Sequence, residues 1–377
     1  MNPMLKAFWQ QAKEAVDSAS SDEVLRVGGE FEYFLYNLDK SLATDIEKFL
    51  LLECLDDNWG IELGAHVVEY HPGPVTLQDI GFENWYEQLL ASELLLKQEA
   101  HKLELLVGSN GTTPFGPTSN IPKTSEPRYG LVPNFHDNHR PWWDKPVFAG
   151  MEIDASVVGK LNASHLSIQA KNVEDGVDIL NRMFAISPVA VALGANASIL
   201  GGVVTGWADC RMEVWKRSHD TRNLLERILD RPLRIGLPKN YFPTIRSYFD
   251  DISKYPFIIN NPENALNIGI GLYWRDARLK FIHQRPVVEF RALAKQATLE
   301  RDIALFAFVI GRLTWSQTNN ELLPPMAKVR KEKEKAERLG KNAYSEDYLK
   351  AEIIKAKQGL HTLGLLDDFT QTLLDNL

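Results

Sequence analysis

The chain has 377 residues, 44% of them hydrophobic and 24% charged, a balance that supports a large buried core in an ordinary globular protein. Its formal charge of -8 and sequence isoelectric point near 5.7 leave no overall positive field to hold nucleic acid or an anionic membrane, so the expected partners are small molecules. Two cysteines, Cys54 and Cys210, fit no CxxC or metal-knuckle spacing and suit a reducing cytoplasm.

In chain order, Leu5, Phe8, Trp9 and Ala12 have amphipathic helical spacing over about 4–19, with acidic residues where a signal peptide would need an unbroken apolar run. Residues 27–36, "VGGEFEYFLY", read as a β-strand. The segment 41–57 has helical spacing, and 61–73, "IELGAHVVEYHPG", is rich in strand formers and stops at Pro72-Gly73. A long amphipathic helix follows over 81–105, then a stretch dense in Gly, Pro, Ser and Thr over 107–130 that suits a lid or binding loop.

A strand is expected at 161–169 and a helix at 173–187, followed by Gly/Ala-rich sequence. Short strand-like runs come at 267–274, "NIGIGLYW", and 287–293, "VVEFRAL", and a helix at about 298–318. The longest apolar region, roughly 184–205, is broken by Pro188, Asn196 and glycines, so no membrane span is expected. The last fifty residues are helical, and the charge run at 327–342 is expected to be a solvated helix face. No internal repeat is present, and the chain reads as a single domain, 1–377, ending in a helical segment from about 298.

The acids carry the chemistry. Side chains alternate along a strand, so Glu30 and Glu32 emerge on one face, and Gly28-Gly29 before them lets another group approach closely. Glu62 and Glu69, seven residues apart, would face opposite ways in one continuous strand. They can share a site only if the chain turns or bulges between them, at Gly64. Glu289 and Arg291 share a face of an otherwise apolar strand, where Glu289 needs an ion-pair partner or a metal. His165 alternates with Ser167 along its own strand. Together Glu30, Glu32, Glu62, Glu69, His165 and Glu289 offer mostly hard oxygen ligands with one imidazole, a set for Mg²⁺ or Mn²⁺ rather than structural zinc. So many acids need cations between them, and clustered divalent ions in turn suggest a nucleoside triphosphate.

The order of these motifs over roughly 27–295 resembles the glutamate-cysteine ligase family, in particular its second, bacterial carboxylate-amine ligase branch. That family is related in fold to glutamine synthetase and the guanidino kinases. Glu30-Phe31-Glu32 resembles its opening E-x-E strand, Glu62 and Glu69 with Pro72 its spaced acid pair, and "NGTTPFG" (110–116) its Gly-Thr-His-Pro loop, with Thr113 where His is usual. "HLSI" from His165, "ALGANASILGG" (192–202), "DCRMEVW" (209–215) and "VEFRAL" (288–293) resemble the segments that follow. Ala163 stands where many members have a second histidine, and Ala294 where the family has an acid.

The resemblance implies an α+β fold: a curved, mostly antiparallel sheet forming an open funnel with helices outside. It further implies an ATP-dependent ligase that joins the side-chain carboxylate of L-glutamate to an amine such as L-cysteine through an acyl phosphate. The five acids and the imidazole would hold about two or three Mg²⁺ ions, with Glu289 and Arg291 catalytic and Arg291 on the transferring phosphoryl group. Arg211, Arg128 and Thr113 would contact substrate or phosphate. Other amines or acids, a phosphagen-type kinase and a catalytically silent nucleotide-binding protein remain open. So does a homo-oligomer.

Overall fold

The computed structural model describes residues 2–377. Among the described residues there are twelve strands: β1 (Arg26–Asn37), β2 (Trp59–Ile61), β3 (Val67–Tyr70), β4 (Val75–Thr76), β5 (Leu105–Gly108), β6 (Val147–Phe148), β7 (Met151–Glu152), β8 (Ser164–Gln169), β9 (Ile199–Leu200), β10 (Val203–Val204), β11 (Ala277–Ile282) and β12 (Arg285–Phe290). Eight of them form one antiparallel sheet in the order β11-β12-β8-β1-β3-β2, with β4 and β5 also paired to β1. The sheet curls into an open half-barrel, giving the α+β class expected. Strands β6 with β7 and β9 with β10 are separate hairpins.

The long β1 organises the sheet because its two faces differ in chemistry. Val27, Phe31, Tyr33 and Leu35 are buried in the main core, which also holds the helix Val173–Gly194 and the helix Leu299–Thr318. Phe31 packs 5.5 Å from Phe306, and a side chain at Gly29 would collide with the Phe31 ring. The opposite face of β1 carries Glu30 and Glu32. Leu166 and Ile168 of β8, Val68 and Tyr70 of β3, and Val288 and Phe290 of β12 join the same apolar core. Their alternate neighbours therefore fall on the face with the acids.

The turn between β2 and β3 brings the spaced acids together. Gly60 pairs with Glu69 and Ile61 with Val68, and Val67 N–H closes the turn on Gly64 O. At Gly64 a Cβ would lie 2.7 Å from Gly159 O, so this turn packs against a neighbouring backbone that only glycine admits.

Several expected elements differ. The helix within 41–57 is confined to Asp45–Leu52, capped by Thr44 with Glu47, and the residues after it form turns. The helix from 173 runs on through Pro188 to Gly194. It is long and apolar enough to cross a membrane, but 78% of its apolar window is buried inside the fold.

Residues 267–274 are not a strand. Ala265–Gly271 is helical, and Gly269 lets it dock on the first helix, Pro3–Asp17, where a Cβ would meet Phe8 at 2.9 Å. Its alternating isoleucines mimic a strand pattern in the sequence alone. The run Ala277–Ile282, not expected as a strand, pairs with β12 instead.

The charge run in Met326–Leu339 is not wholly solvated. Lys333 is buried, 2.7 Å from Asp276 and 3.0 Å from Glu337, so one stripe of this helix turns inward on paired charges.

Candidate metal and substrate site

The sheet register sets out the polar floor. Glu30 lies opposite His165 across β1 and β8, Glu32 opposite Glu69 across β1 and β3, and Glu289 opposite Ser167 and Arg278. Glu30, Glu32, Glu62, Glu69, His165 and Arg291 all line a cavity of about 630 Å³. Three overlapping groups have candidate ligand atoms within 4.8 Å of one another: Glu30 with His165 and Glu289, Glu30 with Glu69 and His71, and Glu32 with Glu69 and His165.

Burial and mutual repulsion govern the charges. Burial, then Glu69 and Glu62, push the Glu32 carboxyl well above its ordinary range, against the Ala163 N–H that donates to Oε2 at 2.6 Å. Glu62 is held up to about 7 by burial and by Glu69. Glu69 is also raised, chiefly by burial, although His71 Nε2 lies 2.9 Å from it. Such carboxyls are costly to ionise beside one another unless cations enter.

The other end of the floor has the opposite balance. Glu289, fully buried, is bound by Arg278, by Lys280 at 2.7 Å and by Arg291 at 2.9 Å. Burial would raise its carboxyl, but these three cations hold it well below the usual range. Burial and Glu289 push Glu30 up, yet the His165 N–H at 2.9 Å and the neighbouring Lys280 outweigh them and keep it ionised. His165 is depressed by burial and by Arg291, so its imidazole is neutral and has a lone pair to offer.

Two expected substrate contacts change role. Thr113 is fully buried, its hydroxyl accepts from Phe115 N–H at 3.2 Å, and it has no place on the cavity wall. Arg211 touches the wall, but Asp209 and the carbonyls of Asn162, Ala292 and Leu293 engage its guanidinium. It holds the end of the sheet instead of presenting an open fork. Arg128 remains at the rim, stacked on Tyr129 with its guanidinium carbon 4.5 Å from the ring centre, while its Nε lies 3.1 Å from Glu126 Oε1. Glu289 lies behind the wall rather than on it.

His71, Asn162 and Arg278 also line the cavity, though no sequence motif marks them. His71 follows Glu69 by two, the same alternation that singled out Glu30 and Glu32. Asn162 is fully buried on the wall, and neither polar atom of its side chain has a partner among the described residues. Only the fold distinguishes it from any other asparagine near a strand.

The oxygen-rich donor set and the raised carboxyls fit hard divalent cations, and the orphaned Asn162 amide fits a polar substrate. Among curated proteins none matches the chain. Solved structures that resemble it include a bifunctional glutathione synthetase from Pasteurella multocida, 8% identical with a TM-score of 0.59, covering 97% of this chain and 48% of that one. A glutamate-cysteine ligase from Francisella tularensis in complex with AMP is 12% identical with a TM-score of 0.55, covering 95% and 88%. At these identities the likeness is one of fold, and the chain spans about half the length of the Pasteurella protein. The family model of glutamate-cysteine ligase family 2 matches residues 26–350, so the chain belongs to that family.

Proposed function

We propose that this protein is an enzyme, a carboxylate-amine ligase driven by ATP, with L-glutamate as the acid and an amine such as L-cysteine as acceptor. The observation that carries the reading is the convergence of Glu30, Glu32, Glu62, Glu69 and His165 on the floor of one cavity, three of these carboxyls being raised above their ordinary range.

With Glu289, these residues would hold Mg²⁺ or Mn²⁺. When bound, the ions supply the positive charge that neutralises ATP phosphates and the developing acyl phosphate. An oxygen of the acid's carboxylate attacks the γ-phosphorus, the bond to the bridging oxygen breaks, and ADP leaves. The amine nitrogen then attacks the acyl carbon, giving an amide and inorganic phosphate with loss of one proton from nitrogen. Arg291, pinned by Glu289, presents its remaining N–H groups to the phosphoryl group in transfer, with Arg278 beside it. Asn162 and Arg128, both on the cavity wall, would orient the acid or the amine.

Trp215, Trp274, Tyr129 and Val132 form an apolar part of the same wall. This favours, as a second reading, an acceptor more apolar than cysteine. The unpaired cysteines, Cys54 exposed and Cys210 buried, agree with a cytoplasmic setting.

The test is ADP and phosphate release with Mg²⁺, ATP and L-glutamate across a panel of amines that includes cysteine and apolar amines. Metal-dependent ADP formation in step with amide supports the reading. Absence of turnover with every acid and amine pair, together with no binding of Mg²⁺-ATP, would overturn it.

A further inference from the structure

A second cavity, of about 880 Å³, shares the His219 wall with the metal cavity but has the opposite charge. Arg222, Arg231, Arg234, Lys239 and Lys254 line it against two carboxylates, Glu226 and Asp251. Much of that charge is paired: Arg231 lies 3.0 Å from Glu226, Lys254 lies 3.0 Å from Asp251, and Arg222 holds Asp220 at 2.9 Å. Among the described residues, Arg234 and Lys239 have no such partner.

Arg234 is the informative one. It is 7% exposed and makes one hydrogen bond, from Nη2 to Pro256 O at 3.0 Å. Tyr255 and Trp274 flank the guanidinium, with ring centres 5.3 and 5.8 Å away. A guanidinium carries five N–H donors, and that of Arg234 lines the cavity with one of them bonded to protein and, among the described residues, no carboxylate in ion-pair reach. Burial without a counter-ion presses its pKa down to about 10.

Arg275 shows what a structural arginine does in the same neighbourhood: it bonds the carbonyls of Ile235 and Leu237, the Tyr255 hydroxyl and Asp251. The nearby imidazoles carry no positive charge. Burial holds His136 down at about 3 and keeps His219 well below its ordinary value.

The geometry points to a second ligand site in this cavity, one that takes a small anion bearing a phosphate or carboxylate group, held by Arg234 and steered by Lys239 at the rim. It stands independently of the ligase reading, because it uses neither the acids nor the metals of the first cavity.

Independence also makes it testable. In EDTA the first cavity lacks the cations that would hold phosphate, but it still carries Arg291 and Arg128, so the Arg234 and Lys239 variants, not EDTA alone, assign anion binding to the second cavity. Inorganic phosphate and succinate are each titrated calorimetrically into the full chain at matched ionic strength. Saturable binding is expected for at least one. The stronger of the two identifies the phosphate or carboxylate character of the ligand. Arg234→Met should weaken binding about tenfold or more and exposed Lys239→Glu about threefold, whereas Glu32→Gln should leave it unchanged. Should Arg234→Met fail to fold, Lys239→Glu decides, since that side chain is solvent-exposed. No saturable binding of either anion, binding that survives the Arg234 and Lys239 changes, or binding lost in Glu32→Gln would overturn the site.

Discussion

Glu32→Gln should stabilise the metal-free protein while removing its response to metal. The carboxyls of Glu32 and Glu69 have oxygens within 4.8 Å, and Glu32 is 8% exposed. Two full charges at that distance repel by about 3.5 kcal/mol at an effective dielectric of about 20. Proton uptake relieves part of this, because burial and neighbouring acids push both carboxyls upward. A gain of about 1–3 kcal/mol at pH 8 in EDTA is therefore expected, a rise in Tm of about 1–4 °C for a chain of this length.

Glutamine suits the test because its oxygen can still accept the Ala163 N–H, so no buried donor is orphaned. Wild type should gain about 2.7 kcal/mol in Mg²⁺ at a hundred times its dissociation constant, and the variant less than about a third of that. Thermal unfolding in EDTA and in MgCl₂ reads both. A variant less stable than wild type in EDTA, yet equally stabilised by Mg²⁺, would refute the account of the floor as a cation site.

Arg291→Lys should fold but lower kcat/KM by about a hundredfold, since a point charge replaces a fork whose other arm is fixed by Glu289; steady-state ADP release checks it. Glu62, held up to about 7 by burial and then Glu69, is protonated in the folded chain where an unfolded glutamate is ionised. That stabilisation is fully present below about 4.5 and is lost as pH rises through about 7. In EDTA, Glu62→Gln should therefore remove part of the fall in stability across that window; an unchanged pH profile would count against it. Gly359→Ala should destabilise by about 3 kcal/mol or more, because its Cβ would lie 1.8 Å from Gly311 O where the helices Leu299–Thr318 and Glu346–Thr362 cross. Denaturant unfolding measures this, and a loss under about 1 kcal/mol would mean that the crossing adjusts.

Local periodicity determined which side chains share a face. A strand alternates whatever its neighbours, so Glu30 with Glu32, and Glu289 with Arg291, were legible as same-face pairs, and the mismatch between Glu62 and Glu69 required a turn near Gly64. The same rule applied at Glu69 also reaches His71, whereas Arg278 lies in a run with no strand expectation. The helix from about 298 was legible from the apolar run it carries, and the structure adds Thr298 as its cap.

Tertiary structure decided what each of those side chains meets. The sequence offers Arg291 as a partner for Glu289, but not the antiparallel register that adds Arg278 and Lys280 from β11. Nor does it show that Asp209 and three backbone carbonyls occupy Arg211, or that Thr113 is sealed beneath the surface. Alternating isoleucines at 268 and 270 suit a strand until the first helix presents Phe8 to Gly269 and a helix packs better. Alternation is fixed by the backbone of one segment, whereas burial and charge pairing depend on segments brought together only by the fold. For that reason the acidic face could be read along the chain, and the unpaired Arg234 of the second cavity could be recognised only in three dimensions.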